Sequence, residues 1–523
     1  MTARTPDAVS AAPSAPAEGS YPNPRRRLLI MLSVLLATVM VAIDTTIANV
    51  ALPHMQASLM AGPEEVVWVL TSYIVAAAIG TPLGGWLATR FGRKRVMLIS
   101  VCGFAVSSMA CGIATSLELE VLARLLQGLF GAGLIPLSQA TLLDTYPPSL
   151  HARAMGYFAV GSMLGPLLGP PLGGLITDAI GWRWVFFINV PFGIAAALGI
   201  WFFQKADPPA PKVRFDFFGF ASVSIAIGAL QIMLDRGQQL DWFQSPEIWI
   251  EAGVAALAAW FAGVHMFTRR DTFIKVGLFV DRNFVVGCLL GMLVGVVAFG
   301  AFPIFTALLQ RQLGYSPLLA GELMTPRGLS CAIAMLIVPK FMGHMSPRLP
   351  VALGLVVTAA GLFMHAMLSP ATDTQAIMIA GAVQGFGIGL LFVPMSLIAF
   401  ATLKADLRNE GSAMFNLARN LGMAVGVSVI QRNTLVNQAA NHARLAEHVR
   451  PDAPAVQWVM PDTDWTSAAD LARLNQLVTH QADMFGYING FAALGVLSIL
   501  MIGLLVFIRP AKPGSIAPAV LVE

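Results

Sequence analysis

The stretch Arg25-Arg26-Arg27 followed by LLIMLSVLLATVMVAIDTTIANV, residues 28–50, decides what kind of molecule this is. Its apolar run holds a single ionisable side chain, Asp44. As a helix rising 1.5 Å per residue, the run is long enough to cross a hydrocarbon layer of ~30 Å. It is too long for the apolar core of a secretory signal and has no A-x-A cleavage site, so it reads as a retained first span. The residues before it, 1–24, are rich in Ala, Pro and Ser and read as a disordered tail.

Outward from this run the pattern repeats. About fourteen stretches have the length and apolarity of a membrane helix, near 28–50, 65–88, 96–115, 119–141, 152–177, 184–204, 215–235, 246–268, 283–309, 318–342, 350–369, 376–400, 411–433 and 484–508. They are continuous rather than alternating, which argues against a transmembrane barrel. The chain has 523 residues, 56% of them hydrophobic and 11% charged, with a mean hydropathy of +0.72. A soluble surface needs roughly 25% charged residues, so a soluble globule is excluded.

With the N-terminus in the cytoplasm, 22 of the 32 Lys and Arg residues fall in cytoplasmic segments, seven in opposite ones and three inside spans. That asymmetry sets the orientation and places both termini inside. It also accounts for the net charge of +4 without nucleic acid as a partner. The polar segment 434–483 then lies outside, with a short amphipathic helix expected over Ala439–Val449 and irregular loop around Pro451, Pro454 and Pro461.

The chemistry sits in few residues. No G-x-x-x-x-G-K-[ST], H-E-x-x-H or nucleophile elbow occurs, which argues against an ATP motor or an enzyme on this chain. Cys102, Cys111, Cys288 and Cys331 lie in apolar runs as small core residues, and no metal site is expected. Intramembrane charges are costly and mark function by default. Asp44 lies about 24 Å into span 1, and Arg124 about 8 Å into span 4 from the opposite surface, so both occupy the outer half. They can form a static ion pair or a carboxylate that gains and loses a proton beside a guanidinium. Arg327 and Arg419 fall near mid-membrane, in structural or substrate-binding roles. With Asn49, Gln127, Gln384 and Asn416 they are the candidate polar anchors of an otherwise apolar substrate cavity, suited to large hydrophobic ligands.

In span 5, Gly161, Gly165, Gly169 and Gly173 recur every four residues and line one helix face, with Gly174 beside them and Pro166, Pro170 and Pro171 interleaved. The density of Gly and Pro predicts a close helix contact and a bend at a moving interface. Gly131-Ala132-Gly133 and Gly385-Phe386-Gly387-Ile388-Gly389 read as helix packing rather than phosphate loops.

These residues form an ordered set. Asp44-Thr45-Thr46-Ile47-Ala48-Asn49-Val50-Ala51-Leu52-Pro53, the loop Gly85-Trp86-Leu87-Ala88-Thr89-Arg90-Phe91-Gly92-Arg93-Lys94-Arg95, Arg124-Leu125-Leu126-Gln127-Gly128, the span 5 stretch 161–174 and Trp182-Arg183-Trp184-Val185-Phe186-Phe187-Ile188-Asn189-Val190-Pro191 occur in sequence order. With Leu234-Asp235-Arg236-Gly237-Gln238, Pro326-Arg327-Gly328 and Arg419-Asn420-Leu421-Gly422, the chain resembles the 14-helix drug:proton antiporters, of EmrB/QacA type, in the major facilitator superfamily. The resemblance covers nearly everything after residue 25.

It implies an all-α membrane fold of two six-helix bundles, each of inverted repeats, plus two inserted helices. The expected division is a cytoplasmic tail 1–24, an N-terminal bundle 25–204, linker helices and connector 205–282, a C-terminal bundle 283–508 carrying the external segment 434–483, and a tail 509–523. It further implies export of hydrophobic compounds driven by protons with no other cofactor, and a seat in a bacterial inner membrane. Proton coupling would fall to Asp44 and Arg124, conformational change to the span 5 glycines with Pro166, and a cytoplasmic gate to Gly85, Arg90, Gly92 and Arg93. A periplasmic adaptor and an outer-membrane channel are the implied partners, and a siderophore, lipid or amphiphilic metabolite is the alternative cargo. One position departs from the pattern: Thr89 stands where these loops usually carry an acid that caps a facing helix, which predicts a weaker inside latch.

Overall fold

The computed structural model describes residues 21–62, 65–206, 215–269, 272–342, 345–404, 407–461 and 463–509. The tails at 1–20 and 510–523 lie outside the described residues, and with them most of both terminal segments set apart from the sequence. Among the described residues there is no strand.

Among the same residues, thirteen helices are long and apolar enough to cross a membrane. In chain order they are α1 Pro24–Ser58, α2 Trp68–Phe91, α3 Arg93–Ile113, α4 Leu117–Thr145, α6 Trp184–Phe203, α7 Phe217–Arg236, α8 Pro246–Thr268, α9 Arg282–Gln312, α10 Leu319–Phe341, α11 Arg348–Ala366, α12 Thr374–Phe400, α13 Arg408–Glu447 and α14 Ala468–Phe507. Between α4 and α6 runs α5, His151–Ile180, of 30 residues. Chain polarity alternates along this series. The end at which α1 starts, with Arg25–Arg27, Arg93–Arg95 and Arg408, is the basic end; the opposite one is the far end.

Local chemistry sets many boundaries. Ser116, Asp216, Ser245, Asp281, Ser316 and Ser467 each turn a side-chain oxygen onto a backbone N–H in the first turn of the next helix, satisfying donors a helix start leaves free. Between α2 and α3 the chain reverses through Gly92, whose φ of +89° is open to glycine and strained for other residues. Helices α1 to α6 pack on one another, as do α9 to α14. The pair α7 and α8 forms a hairpin: α7 leans on α2 and α13, while α8 is mostly exposed and carries Trp249 and Trp260 outward.

The far-end segment 434–483 differs from the expected loop. α13 continues to Glu447 and α14 begins at Ala468, so most of it is two helical extensions, about 21 Å and 24 Å beyond residues 433 and 484. They stay together: the His442 ring bonds Asn475 Oδ1 at 3.1 Å, and Asn489 donates to Asn437 at 3.3 Å. A short helix, Pro454–Val459, occupies the tip. The helix expected at 439–449 is the end of α13. A polar sequence carries no membrane signature, yet a helix already nucleated in lipid propagates at little further cost.

Candidate functional site: a buried carboxylate and a basic-end lock

Asp44 is fully buried in the N-terminal half, two turns before the end of α1's apolar stretch. Three side chains donate to it. Arg124 Nη1 reaches Oδ2 at 2.8 Å; Gln127 Nε2 and Asn189 Nδ2 reach Oδ1 at 2.9 and 2.7 Å. Arg124 and Gln127 are one turn apart on α4, and Asn189 lies near the start of α6, so the carboxylate ties three helices together. The same guanidinium donates to Gln127 Oε1 at 2.8 Å and from Nε to the Val69 backbone carbonyl at 3.2 Å. It stands 4.3 Å from the Tyr73 ring centre and 5.6 Å from that of Phe186, a geometry that favours the cation. Asn189 in turn donates to Ser108 Oγ, which donates to the Phe186 carbonyl. A buried ion pair survives only with its remaining polar groups satisfied, and here they are.

One turn before Arg124, Glu120 is also fully buried, and neither carboxylate oxygen has a hydrogen-bond partner among the described residues. Sequence reasoning missed both Asn189 and Glu120. The available signal was a polar side chain within an apolar run.

The two halves meet at the basic end. Asp144, at the end of α4, takes Arg93 on one oxygen at 2.7 Å and Arg408 of α13 on the other at 2.6 Å. Arg93 Nε also bonds Asn409 Oδ1 at 3.0 Å. Deeper in, Ser412 and Asn416 of α13 both donate to Gln139 Oε1 of α4, at 3.0 and 2.8 Å. Lys275, in the connector before α9, pairs with Glu410. Gly85 admits this contact: a Cβ there would stand 3.1 Å from that of Ala413. Gly156 of α5 does the same against Pro339 and Met335 of α10. Among the described residues, every direct hydrogen bond or ion pair between α1–α6 and α9–α14 sits at this end. The two halves are locked together at the basic end.

A family model described as the Major Facilitator Superfamily matches residues 34–427. The chain belongs to the Major Facilitator Superfamily. It is 34% identical over 490 residues to "Multidrug export protein EmrB" of Escherichia coli (strain K12), covering 92% of this chain and 96% of that protein. The EmrB of Haemophilus influenzae is 35% identical over 492 residues, with 93% and 96% covered. Among solved structures, the proton:xylose symporter XylE aligns with a TM-score of 0.60 at 14% identity over 95% of this chain, a likeness of fold. The protein is therefore a membrane transporter built on the superfamily fold.

Within this superfamily member the residues singled out from the sequence part company. Gln127, expected in a substrate cavity, belongs to the Asp44 cluster. Asn416 belongs to the basic-end lock. Gln384 is buried with its backbone against Gly361 of α11, and its Nε2 has no hydrogen-bond partner among the described residues. Asn49 is exposed and, among the described residues, donates only to the Thr45 carbonyl of its own helix. Sequence depth alone does not say which face of a helix a side chain leaves from. Arg327 and Arg419 do remain in the C-terminal half, without carboxylate partners among the described residues.

The span 5 stripe faces α1 within one bundle, not the joint between bundles. Gly161 packs on Leu35, Gly165 on the Ala42 carbonyl, Gly169 on Thr46 and Gly173 on Ile47, and Thr46 Oγ1 donates to the Gly165 carbonyl at 2.9 Å. Gly174 has nothing within 4 Å of a Cβ and makes no close contact. The side chain of Pro166 lies outside the described residues. Thr89 does not reach a facing helix: its hydroxyl donates to the Gly85 carbonyl one turn back. Arg90 stays beside Phe91, 5.9 Å from the ring centre, while Arg93 alone of the loop's arginines joins the Asp144 lock. A cavity of about 280 Å³ lies elsewhere, between α7, α8 and α13.

Proposed function

We propose that the protein exports hydrophobic drugs and other toxic compounds in exchange for protons, from a bacterial inner membrane with both termini in the cytoplasm. The observation that carries this reading is Asp44: a buried carboxylate held by one guanidinium and two amides in an otherwise apolar bundle. The similarity to the multidrug export proteins supplies the direction and class of cargo. The concentration of Lys and Arg at the basic end supports assigning that end to the cytoplasm.

In this reading the far end faces the periplasm, where protons enter and cargo leaves. A proton on Asp44 removes the counter-charge of Arg124, which stays cationic. The contacts tying α1, α4 and α6 then lose their common acceptor, and the bundle is free to repack and release the Asp144 lock. Opening to the cytoplasm lets the proton leave and cargo bind, and restoring the Asp44–Arg124 pair favours closure again. Thr89 leaves the latch without its usual acid, and Asp144 supplies the charge from α4 instead.

The experiment is transport in proteoliposomes with an imposed pH gradient and a panel of hydrophobic compounds. Gradient-dependent movement of several of them is expected; movement that ignores the gradient would contradict proton coupling. The paired extensions of α13 and α14 are proposed to dock a periplasmic adaptor leading to an outer-membrane channel. Replacing residues 440–478 by a short flexible linker should spare transport in proteoliposomes and abolish resistance in cells with two membranes. Unchanged resistance would exclude the docking role.

A further inference from the structure

We infer that the C-terminal half binds the head of an anionic amphiphile between Arg327 and Arg419, so that the preferred cargo carries a carboxylate or similar anion on an apolar body. This rests on the export reading above and narrows it.

Both arginines lie in the membrane interior, and neither forms an ion pair among the described residues. Arg327 of α10 spends one amino group on the Ala298 carbonyl at 2.7 Å, and its other, Nη1, is buried without a hydrogen-bond partner among the described residues. Its guanidinium stands 5.8 Å from the ring centre of Phe302. Arg419 of α13 has only the face of Phe392, 5.3 Å from its ring centre, and makes no hydrogen bond among the described residues. The contrast with Arg124, which has Asp44, is direct.

The two lie at one depth. The Arg419 carbonyl is 2.6 Å from where a Cβ on Gly295 would stand, and Arg327 bonds Ala298 of the same helix. Three residues of α9 separate these points, about 4.5 Å along its axis. Among the described residues, α9 and α12 carry no acid; the nearest acids on α10 and α13 are Glu322, five residues from Arg327 toward the far end, and Glu410, nine residues from Arg419 and paired with Lys275. Guanidinium stays ionised under all working conditions. Two such charges without counter-ions in lipid are a standing cost that a bound anion removes. Their planar N–H forks suit a carboxylate, phosphate or sulfonate, and the rings of Phe302 and Phe392 beside them are apolar walls for the hydrocarbon body attached to the head group. The proton site and the anion site then occupy opposite bundles. Exporting a monoanion against one proton carries two charges inward, so membrane potential drives it as well as the pH gradient.

The test compares dodecanoate with dodecyltrimethylammonium, equal in chain length and opposite in charge, on the full-length protein in lipid nanodiscs. Dodecanoate is expected to bind roughly tenfold tighter or more, as a charge-assisted contact implies. Arg327→Gln and Arg419→Gln should each remove most of that preference, with Arg419→Lys restoring part. In proteoliposomes, a potential negative on the cargo-loaded side should speed dodecanoate export more than that of the cation. Equal binding of the two probes by the wild type, or an undiminished preference in both Gln variants, would overturn the anion site. Proton-driven export of the cation alone would do so too while leaving the export reading intact; no gradient-driven export of either would instead sink the export reading.

Discussion

Asp44 accepts from Arg124, Gln127 and Asn189, and the three donors differ in what their loss should do. Arg124→Ala strands a buried carboxylate, a change that costs about 3–5 kcal/mol in such sites. Arg124→Lys keeps the cation and loses the fork, so it should retain more melting temperature and more gradient-driven transport than Arg124→Ala; equal defects would show that charge is not what Arg124 supplies. Asn189→Ala removes one hydrogen bond to a charged group, worth roughly 1.5–3 kcal/mol, and should slow gradient-driven transport about tenfold. An unaltered rate in inverted vesicles would reduce Asn189 to packing. The Asp44–Arg124 pair was legible in the sequence because Asp44 is a lone charge in its apolar run, Arg124 is the one basic residue in its own, and their depths agree. Asn189 was not, because an amide beside a span start has many ordinary uses, and its meeting with Asp44 spans 145 residues of chain.

At the scale of helices, apolar length made the spans legible, and the four-residue glycine spacing made α5's contact face legible. What the spacing could not say was which helix it faced. Because Gly165 and Gly169 lie against Ala42 and Thr46, within two residues of Asp44, a valine at either should damage the bundle itself. Gly165→Val is expected to lower the melting temperature sharply and to lose cargo binding along with transport, since its side chain would overlap backbone. Gly156→Val should differ. Its clash is with Pro339 and the Met335 carbonyl across the joint between bundles, so the protein should fold and bind yet fail to close at the basic end. Distances between spin labels on either side of that joint would show it, and a wild-type distance distribution in Gly156→Val would contradict the placement. The helical extensions of α13 and α14 escaped the sequence because only the hydrocarbon crossing has a compositional mark.

Across the whole molecule, the closed basic end depends on few polar contacts, with Asp144 shared between Arg93 and Arg408 at the centre. Partly exposed pairs of this kind contribute about 1 kcal/mol each. Asp144→Asn should therefore move the population several-fold toward the form open at the basic end, read as greater labelling of a cysteine placed on α13 near residue 416; unchanged labelling would mean that the lock resides elsewhere. The motif loop pointed to Arg93 but not to Asp144 or Gln139, whose partners become neighbours only when the bundles dock. In the proposed antiport cycle, proton exchange at Asp44 joins the buried carboxylate of one bundle to closure at the basic end. The most direct measurement places Asp44→Asn beside the wild type in proteoliposomes holding a pH-sensitive dye, with cargo supplied on one side. The wild type should move protons when cargo is added and move cargo against its gradient when protons are supplied. Asp44→Asn should still exchange labelled for unlabelled cargo across the bilayer but move no protons and build no gradient. Proton movement at the wild-type rate in Asp44→Asn would place the coupling at another residue.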